Sequence, residues 1–241
     1  MRAGLILLRI ALSAFLLAVS LPAWCQGAPP SATEEDAKAS QLLENGVRLM
    51  QSKKATEAMQ IFDSVASGYE NKYKGKNTKF YSARSPAETL FYALDAANSN
   101  KGGATVVSGN WGYAYYLKAY ALLDLGRVSE AKVELQRAVS LSPQNSQFLS
   151  ELGHVYQLEK NWQSALQIFQ RAEAAAKEFS PPNARNAELG RAWRGMGFVD
   201  VELNRLDDAE AMYRKCLELD KNDAAAMREL RYVQGVKAKA K

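Results

Sequence analysis

A short sequence pattern recurs four times in the chain, and its spacing limits the possible folds more than any other feature. Residues 126–143 align with residues 160–177 at a shift of 34 residues. A further copy, residues 204–221, follows after 44 residues because ten additional residues intervene, and an N-terminal copy occupies residues 53–70. Self-similarity at a fixed period of this length is the signature of a repeat architecture. The chain is therefore predicted to stack similar units along one direction.

Each copy is preceded by a second amphipathic stretch, so each unit is predicted to be a pair of helices. Leu149, Leu152 and Tyr156, for example, share one face at helical spacing. Small residues recur at one position of each helix, because closely packed helices, with axes roughly 8–10 Å apart, leave little room for a side chain there. They are Gly46, Ala119, Gly153 and Gly197 on the first helices and Ala58, Ala131, Ala165 and Ala209 on the second. Four positions beyond those alanines, the bulky residues Phe62, Leu135, Phe169 and Tyr213 are predicted to fill the gaps.

These recurring positions resemble the tetratricopeptide repeat (TPR) family. The matching residues are Tyr115 and Trp193 at the fourth position, the small residues at the eighth, Tyr156 at the eleventh, the alanines at the twentieth and Pro143 at the thirty-second. The resemblance implies an all-α fold: a right-handed superhelical solenoid of antiparallel helix pairs, with about four to five repeats and a C-terminal capping helix. It assigns repeat 1 to residues 39–72, repeat 2 to residues 112–145, repeat 3 to residues 146–179 and repeat 4 to residues 190–223.

The segments outside these repeats are assigned from their length and turn residues. Residues 73–111 exceed one regular unit and are predicted to be a degenerate or inserted region with one helix, which begins at Pro86 after Ser85 as its N-cap. Residues 180–189 are predicted to be an inter-repeat insert. Residues 224–241 are predicted to form the capping helix and a frayed basic tail.

Residues 1–25 have the layout of a secretory signal peptide. Arg2 and Arg9 are its only charged residues, and an uncharged run of 15 residues ends at Trp24. That run is shorter than the ~20 residues of a membrane-spanning helix. Cleavage after Cys25 or Ala23 is expected, followed by a flexible linker over residues 26–38, and the mature chain is expected in the periplasm or cell envelope. An uncleaved anchor and lipidation of Cys25 are the alternatives.

The composition provides few residues of the types that catalyse reactions or bind metals. The chain has one histidine and two cysteines, so no metal site, cofactor or disulfide framework is expected. Ser150 and His154 lie four residues apart on one predicted face, but a serine inside a helix offers no oxyanion hole, and no catalytic residue is expected. Loss of residues 1–25 lowers the net charge from +5 by 2 to +3, which does not indicate bulk attraction to nucleic acid. Cys216 occupies a small-residue position and is expected to be buried.

The TPR resemblance implies a binding groove, because the first helices of this family line the concave side of the superhelix. The predicted lining residues are Tyr113, Tyr116, Tyr120, Gln147, His154, Gln157, Arg191, Arg194 and Phe198. Tyrosine and arginine are frequent in binding hot spots, which predicts a peptide partner whose apolar residues face the tyrosines and whose acidic group reaches an arginine. The alternative is that the tyrosines only pack against neighbouring helices. A non-catalytic protein-binding scaffold of the cell envelope is the predicted function.

A basic segment, residues 71–84, offers a different function. It interleaves Lys72, Lys74, Lys76, Lys79 and Arg84 with Tyr73, Phe80 and Tyr81. Exposed lysines and rings together could bind an envelope polymer, a membrane surface or a nucleic acid. The other interpretation is a solvated loop whose rings pack back on the solenoid.

Overall fold

The computed structural model of the protein describes residues 33–98 and 103–239, which contain ten α-helices and one two-stranded sheet. The elements are α1 (Glu34–Gln51), α2 (Ala55–Tyr73), β1 (Lys79–Ala83), α3 (Pro86–Asn98), β2 (Ala104–Ser108), α4 (Asn110–Asp124), α5 (Val128–Leu141), α6 (Ser146–Leu158), α7 (Trp162–Phe179), α8 (Pro182–Glu202), α9 (Leu206–Leu219) and α10 (Ala224–Lys239). The predicted signal peptide, its cleavage site and residues 26–32 of the predicted linker lie outside the described residues. Within the described ranges, no helix has both the length and the apolar character that a bilayer-spanning segment requires.

Eight of the helices form four successive pairs, and this confirms the predicted all-α solenoid. The pairs are α1 with α2, α4 with α5, α6 with α7, and α8 with α9, and α10 packs on α9 as the capping helix. Although residues 74–109 separate them in sequence, α2 packs directly on α4. The first two repeats are therefore neighbours in the solenoid, and the intervening segment leaves it and returns.

The turn within each pair has the same backbone conformation. Lys53, Gly126, Lys160 and Asn204 all have a left-handed φ, between 56° and 72°. They occupy equivalent repeat positions. Gly126 and Lys160 are 34 residues apart, and Lys160 and Asn204 are 44 residues apart, as are the corresponding sequence copies. Glycine and asparagine tolerate this conformation readily, whereas lysine adopts it at some cost. The turn geometry therefore recurs even where the sequence does not favour it.

Small residues meet large rings between the paired helices, as predicted. A Cβ atom on Gly46 would lie 2.3 Å from the Phe62 ring, and one on Gly153 would lie 2.9 Å from the Phe169 ring. Gly197 faces Tyr213 in the same way, with a closest approach of 2.8 Å. These distances are shorter than any van der Waals contact, so the rings occupy the space that a side chain would need.

Several element boundaries differ from the predicted ones. Thr33 caps α1 in a capping box with Asp36, so residues 34–38 are helical and do not belong to a linker. The predicted inter-repeat insert is mostly helical as well, because α7 continues to Phe179 and α8 begins at Pro182. The predicted frayed tail is helical to Lys239, where Lys237 forms ion pairs with Asp207 and Glu210 of α9.

The segment between the first two repeats contains two strands that the sequence did not reveal. β1 and β2 pair in parallel, with Lys79 opposite Ala104 and Ala83 opposite Ser108, and α3 connects them. The hydroxyl of Ser82 fastens this β1–α3–β2 insert to the solenoid, because it donates to the Ser108 carbonyl (2.7 Å) and accepts from the Gly112 N–H of α4 (3.0 Å). Each strand has five residues, too few for a clear alternating pattern.

Candidate functional site

The first helices α4, α6 and α8 carry the predicted groove residues, and the β1–α3–β2 insert reaches across to the α7–α8 turn. The Ser85 hydroxyl donates to the Phe179 carbonyl (3.3 Å), and the Phe91 and Phe179 rings lie 4.8 Å apart. The backbone N–H of Gln144 donates to the Tyr92 hydroxyl (3.0 Å). The insert therefore bridges parts of the chain that are distant in sequence, since it contacts both Gln144 and the α7–α8 turn.

Arg84 is the centre of this bridge. Its Nε donates to Glu88 Oε1 at 2.9 Å, and its two terminal nitrogens donate to the two carboxylate oxygens of Glu188 at 2.6 and 2.9 Å. The side chains of Arg84, Glu88 and Glu188 are only 5%, 0% and 8% exposed. Burial raises the pKa of Glu88, an effect that Arg84 opposes. Arg84 therefore does not belong to the exposed basic segment but holds the insert against α8.

Tyr113 and Tyr116 take part in helix packing. Both are nearly buried, and the Phe148 ring lies 5.1 Å from the Tyr113 ring and 5.0 Å from the Tyr116 ring. The Gln147 amide donates to the Tyr116 hydroxyl at 3.0 Å, and the Tyr113 hydroxyl lies 3.5 Å from the Gln147 Oε1. The structure brings these two tyrosines and Gln147 together, and the tyrosine rings face α6 more than solvent.

Tyr120 is more accessible and lies near Glu151 and Arg191. Its pKa is raised by burial and by the Glu151 carboxylate, while Arg191 acts in the opposite direction. Burial lowers the pKa of Arg191, but Tyr116 and Glu151 outweigh that effect and raise it. The Glu151 carboxylate therefore lies near enough to the half-buried Arg191 guanidinium to affect its pKa. Glu151 and Glu188 were not predicted as part of the groove, because a lone glutamate on a helix gives no sign of being buried.

The second predicted arginine, Arg194, points to the C-terminal end of the solenoid. It forms an ion pair with Asp223, whose carboxylate also accepts from the Ala226 N–H at the start of α10. On α6, the Gln157 amide donates to the Gly195 carbonyl of α8 at 2.9 Å, and His154 Nδ1 lies 3.3 Å from the Gln157 Oε1. The charge of Arg194 is thus already paired with the carboxylate of Asp223, the residue before α10.

Seven of the predicted residues are half-buried on the first helices. Gln147 is bonded to Tyr116 and Arg194 is paired with Asp223, and the other five form what we call the groove patch. They are Tyr120, His154, Gln157, Arg191 and Phe198. The patch spans three successive repeats, because Tyr120 lies near Arg191 and Gln157 contacts α8. Beneath it, the Ser150 hydroxyl is buried and has no hydrogen-bond partner. The patch combines rings, amide groups and a guanidinium, which is the chemistry of peptide recognition.

In the basic segment, two aromatic rings pack on the solenoid and three lysines are exposed to solvent. Tyr73 and Phe80 stack near Trp111, with ring centroids 5.5 and 5.8 Å from it, as expected if the rings pack back on the solenoid. Lys72 pairs with Glu35. Lys74, Lys76 and Lys79 are exposed and form no ion pair with a described residue. Binding of a polymer or nucleic acid by these lysines stays a prediction.

Chemical reactivity is not evident in the described residues. The buried Ser150 hydroxyl makes no hydrogen bond, so His154 does not activate it. Burial raises the pKa of the Cys216 thiol to about 12, which keeps it protonated at neutral pH. Over residues 33–98 and 103–239, no group of three or more His, Cys, Asp or Glu side chains converges as metal ligands would.

Comparison with known proteins supports the repeat assignment. One tetratricopeptide repeat model matches residues 144–222, and a second matches residues 112–145. Residues 112–222 are therefore tetratricopeptide repeats. These matches cover the repeats that contain the groove patch, and the helix pair α1–α2 extends the TPR array by one repeat. No curated protein sequence matches this TPR protein.

Solved structures share the fold of this TPR protein at low sequence identity. PilF of Pseudomonas aeruginosa is 14% identical, with a TM-score of 0.60, and the match covers 86% of this chain and 72% of PilF. MamA from residue 41 to its end, of Desulfovibrio magneticus RS-1, is 15% identical, with a TM-score of 0.55 and coverage of 86% and 88%. At these identities the likeness shows the solenoid fold alone.

Proposed function

We propose that this TPR protein is a non-catalytic scaffold that binds a protein or peptide partner through the groove patch. The observation that carries the proposal is that half-buried aromatic and polar side chains continue across α4, α6 and α8 on the face formed by first helices. Partly covered rings gain contact area at a small cost in conformational entropy when a partner covers them fully. The patch is therefore suited to an extended or helical peptide.

The charged side chains around the groove patch limit the chemistry of the proposed peptide. The Glu151 carboxylate lies near Arg191, and Arg194 is paired with Asp223. An acidic group of the peptide would have to compete with these carboxylates. Apolar or aromatic side chains that contact Tyr120 and Phe198 fit the patch better than a cluster of acids. The proposed ligand is therefore a mainly apolar peptide.

The proposed location is the periplasm or another part of the cell envelope. The support is the sequence of residues 1–25, whose basic start and uncharged run are typical of a cleaved signal peptide. N-terminal sequencing of the protein recovered from the envelope fraction tests this part. A chain that begins after Ala23 or Cys25 is expected, and recovery of an intact chain from the cytosolic fraction would refute it.

Partner capture tests the binding proposal. Residues 26–241 retain the Thr33 capping box and every described helix and strand, and serve as bait in separate envelope and cytosolic extracts. We expect one protein to be retained from the envelope extract and to be lost with the variant Tyr120→Ser/Phe198→Ser. The loss follows because truncation of a hot-spot ring costs about 2 kcal/mol or more of binding free energy.

The matched control for this capture is Val133→Ser/Tyr232→Ser. Val133 and Tyr232 are exposed on α5 and α10, away from the groove patch, and their removal is expected to leave capture unchanged. Circular dichroism establishes that all variants are equally helical. Equal retention by the groove and control variants would show that the partner binds elsewhere.

A further inference from the structure

Helix α3 of the insert is amphipathic in the opposite sense to the other helices. Its inner face carries polar groups: Glu88 and Tyr92 are fully buried, and Asp95 accepts a hydrogen bond from the Tyr81 hydroxyl of β1. Its outer face is apolar, with Leu90 63% exposed and Leu94 55% exposed. A surface helix normally buries its apolar side. The helix therefore exposes two leucines although Glu88 and Tyr92 lie inside.

The exposed leucines of α3 form a cluster, unlike other exposed apolar side chains of the described residues. Ala87 and Ala97 lie at helical spacing from Leu90 and Leu94 and are also exposed, and Phe91 is 36% exposed beside them. The other large exposed apolar residues are Leu125, Val133, Leu158, Leu203 and Tyr232, which are scattered over several helices. Contiguous exposed apolar surface marks an interaction site, whereas single residues do not.

The shape around this face is a ridge. α3 packs against β1 and β2, and β1 in turn packs against α4 and α5, so that α3 forms an outer layer on the solenoid. On this face the Phe91 ring lies against the Phe179 ring, and Leu90 and Leu94 are exposed. A ridge of this kind offers no groove for a partner helix, but it can insert into a soft layer.

Three lysines lie at the C-terminal end of α3. Lys79 donates to the Tyr81 hydroxyl, which donates to Asp95 of α3, and this places Lys79 beside the last turns of the helix. Thr78 bonds to the Gly103 carbonyl (3.3 Å), so the loop that contains Lys74 and Lys76 lies at the same end. The Tyr81 hydroxyl bridges Lys79 and Asp95, so the Asp95 carboxylate offsets one of the three positive charges and Lys74 and Lys76 leave an excess. The apolar ridge is thus flanked by positive charge.

We propose that the outer face of α3, with Leu90 and Leu94, and the lysines Lys74, Lys76 and Lys79 form a docking surface for an anionic phospholipid bilayer. The leucines enter the interfacial layer while the lysines contact lipid phosphates. Charge complementarity favours an anionic surface, and the ridge shape favours a bilayer over a partner helix. This surface is separate from the groove patch, so the protein could hold a bound peptide next to a membrane.

Vesicle sedimentation tests the proposed membrane surface. Residues 26–241 are mixed with phosphatidylcholine vesicles that contain or lack phosphatidylglycerol. We expect sedimentation with the anionic vesicles only, weakening as salt shortens the Debye length from about 10 Å at 0.1 M to 3 Å at 1 M. Because each lysine near an anionic surface contributes about a factor of five, Lys74→Gln/Lys76→Gln/Lys79→Gln is expected to weaken binding by at least about tenfold.

The leucines are tested with a matched pair of variants. Leu90→Gln/Leu94→Gln is expected to weaken vesicle binding by about tenfold or more, whereas Leu158→Gln/Leu203→Gln, at exposed leucines elsewhere, is expected to change it less than about twofold. A fluorophore on Leu94→Cys gives an independent readout, since Cys216 is buried. Its emission is expected to shift to the blue with anionic vesicles.

Three outcomes would overturn the membrane proposal. The first is equal binding of neutral and anionic vesicles, and the second is unchanged binding by both the lysine and the leucine variants. The third is a dimer in light scattering that Leu90→Gln/Leu94→Gln converts to a monomer without any effect on vesicles, because the face would then be covered by a second copy. None of these results bears on capture of a partner by the groove patch.

Discussion

Replacement of Arg84 by alanine is expected to lower the free energy of unfolding by about 3–5 kcal/mol. The guanidinium is the cationic partner of both Glu88 and Glu188, and all three side chains are buried. Its removal leaves two carboxylates without compensation in an environment that does not solvate them. Urea unfolding followed by circular dichroism measures the loss. A change of less than about 1 kcal/mol would contradict this account of the insert.

The loss caused by Arg84→Ala is expected to shrink as the pH falls from 7 towards 5. Burial already raises the pKa of Glu88 in the presence of Arg84, and without Arg84 that rise is larger. A carboxyl whose folded pKa lies above its unfolded pKa binds its proton more tightly in the folded state. Such a group favours folding at low pH and opposes it as the pH rises through the folded value.

Two further variants separate charge from packing at Arg84. The neutral combination Arg84→Met/Glu88→Gln/Glu188→Gln is expected to recover at least about half of the lost stability, because no unpaired charge remains. Arg127→Ala removes one partner of an exposed pair with Glu130, 43% and 59% exposed, and is expected to leave the free energy of unfolding almost unchanged. A similar loss for Arg84→Ala and Arg127→Ala would show that burial does not matter here.

Replacement of Gly195 by alanine is expected to lower the free energy of unfolding by about 2 kcal/mol. A Cβ atom at this position would lie 2.3 Å from the Phe169 ring, and Gly153 confines the same ring from another helix. Overpacking of this kind typically lowers the free energy of unfolding by ~1–3 kcal/mol or more. The higher helix propensity of alanine offsets up to about 1 kcal/mol of that loss. Thermal unfolding by calorimetry gives the change directly.

A glycine without neighbours provides the control for Gly195→Ala. Gly68 lies inside α2, and a Cβ there would meet nothing within 4 Å. Gly68→Ala is therefore expected to leave stability unchanged or to raise it by up to about 1 kcal/mol. The double variant Gly195→Ala/Phe169→Leu is expected to recover part of the loss, because leucine is smaller than the ring. Equal effects at Gly68 and Gly195 would refute the proposed close packing.

The solenoid could be predicted from the sequence because its contacts repeat. The small residue and the ring that meet in each pair, such as Gly46 with Phe62 and Gly153 with Phe169, are separated by a nearly constant distance along the chain. Four copies of one local arrangement therefore leave a periodic pattern that composition alone would not show. Helix ends were less accurate, because the first turns of α8 were assigned to an inter-repeat insert.

The insert could not be predicted in the same way, because its contacts occur once. Arg84 and Glu188 are 104 residues apart, and nothing in either local sequence links them. Arg84 follows four lysines and so suggested an exposed patch, although the β1–α3–β2 insert turns it inward. The burial of Tyr113 and Tyr116 depends on Phe148 of the next repeat. Tyr120, one helical turn beyond Tyr116, is more accessible than Tyr113 and Tyr116.

Photo-crosslinking in intact cells tests the central claim, partner binding in the groove, most directly. A photoreactive phenylalanine analogue replaces Tyr120 or Phe198 in the groove patch, or Val133 or Tyr232 at exposed positions outside it. The account predicts the same protein adduct from both groove positions, in the envelope fraction, and none from the two outer positions. Adducts at Val133 or Tyr232 with none at Tyr120 and Phe198 would contradict it.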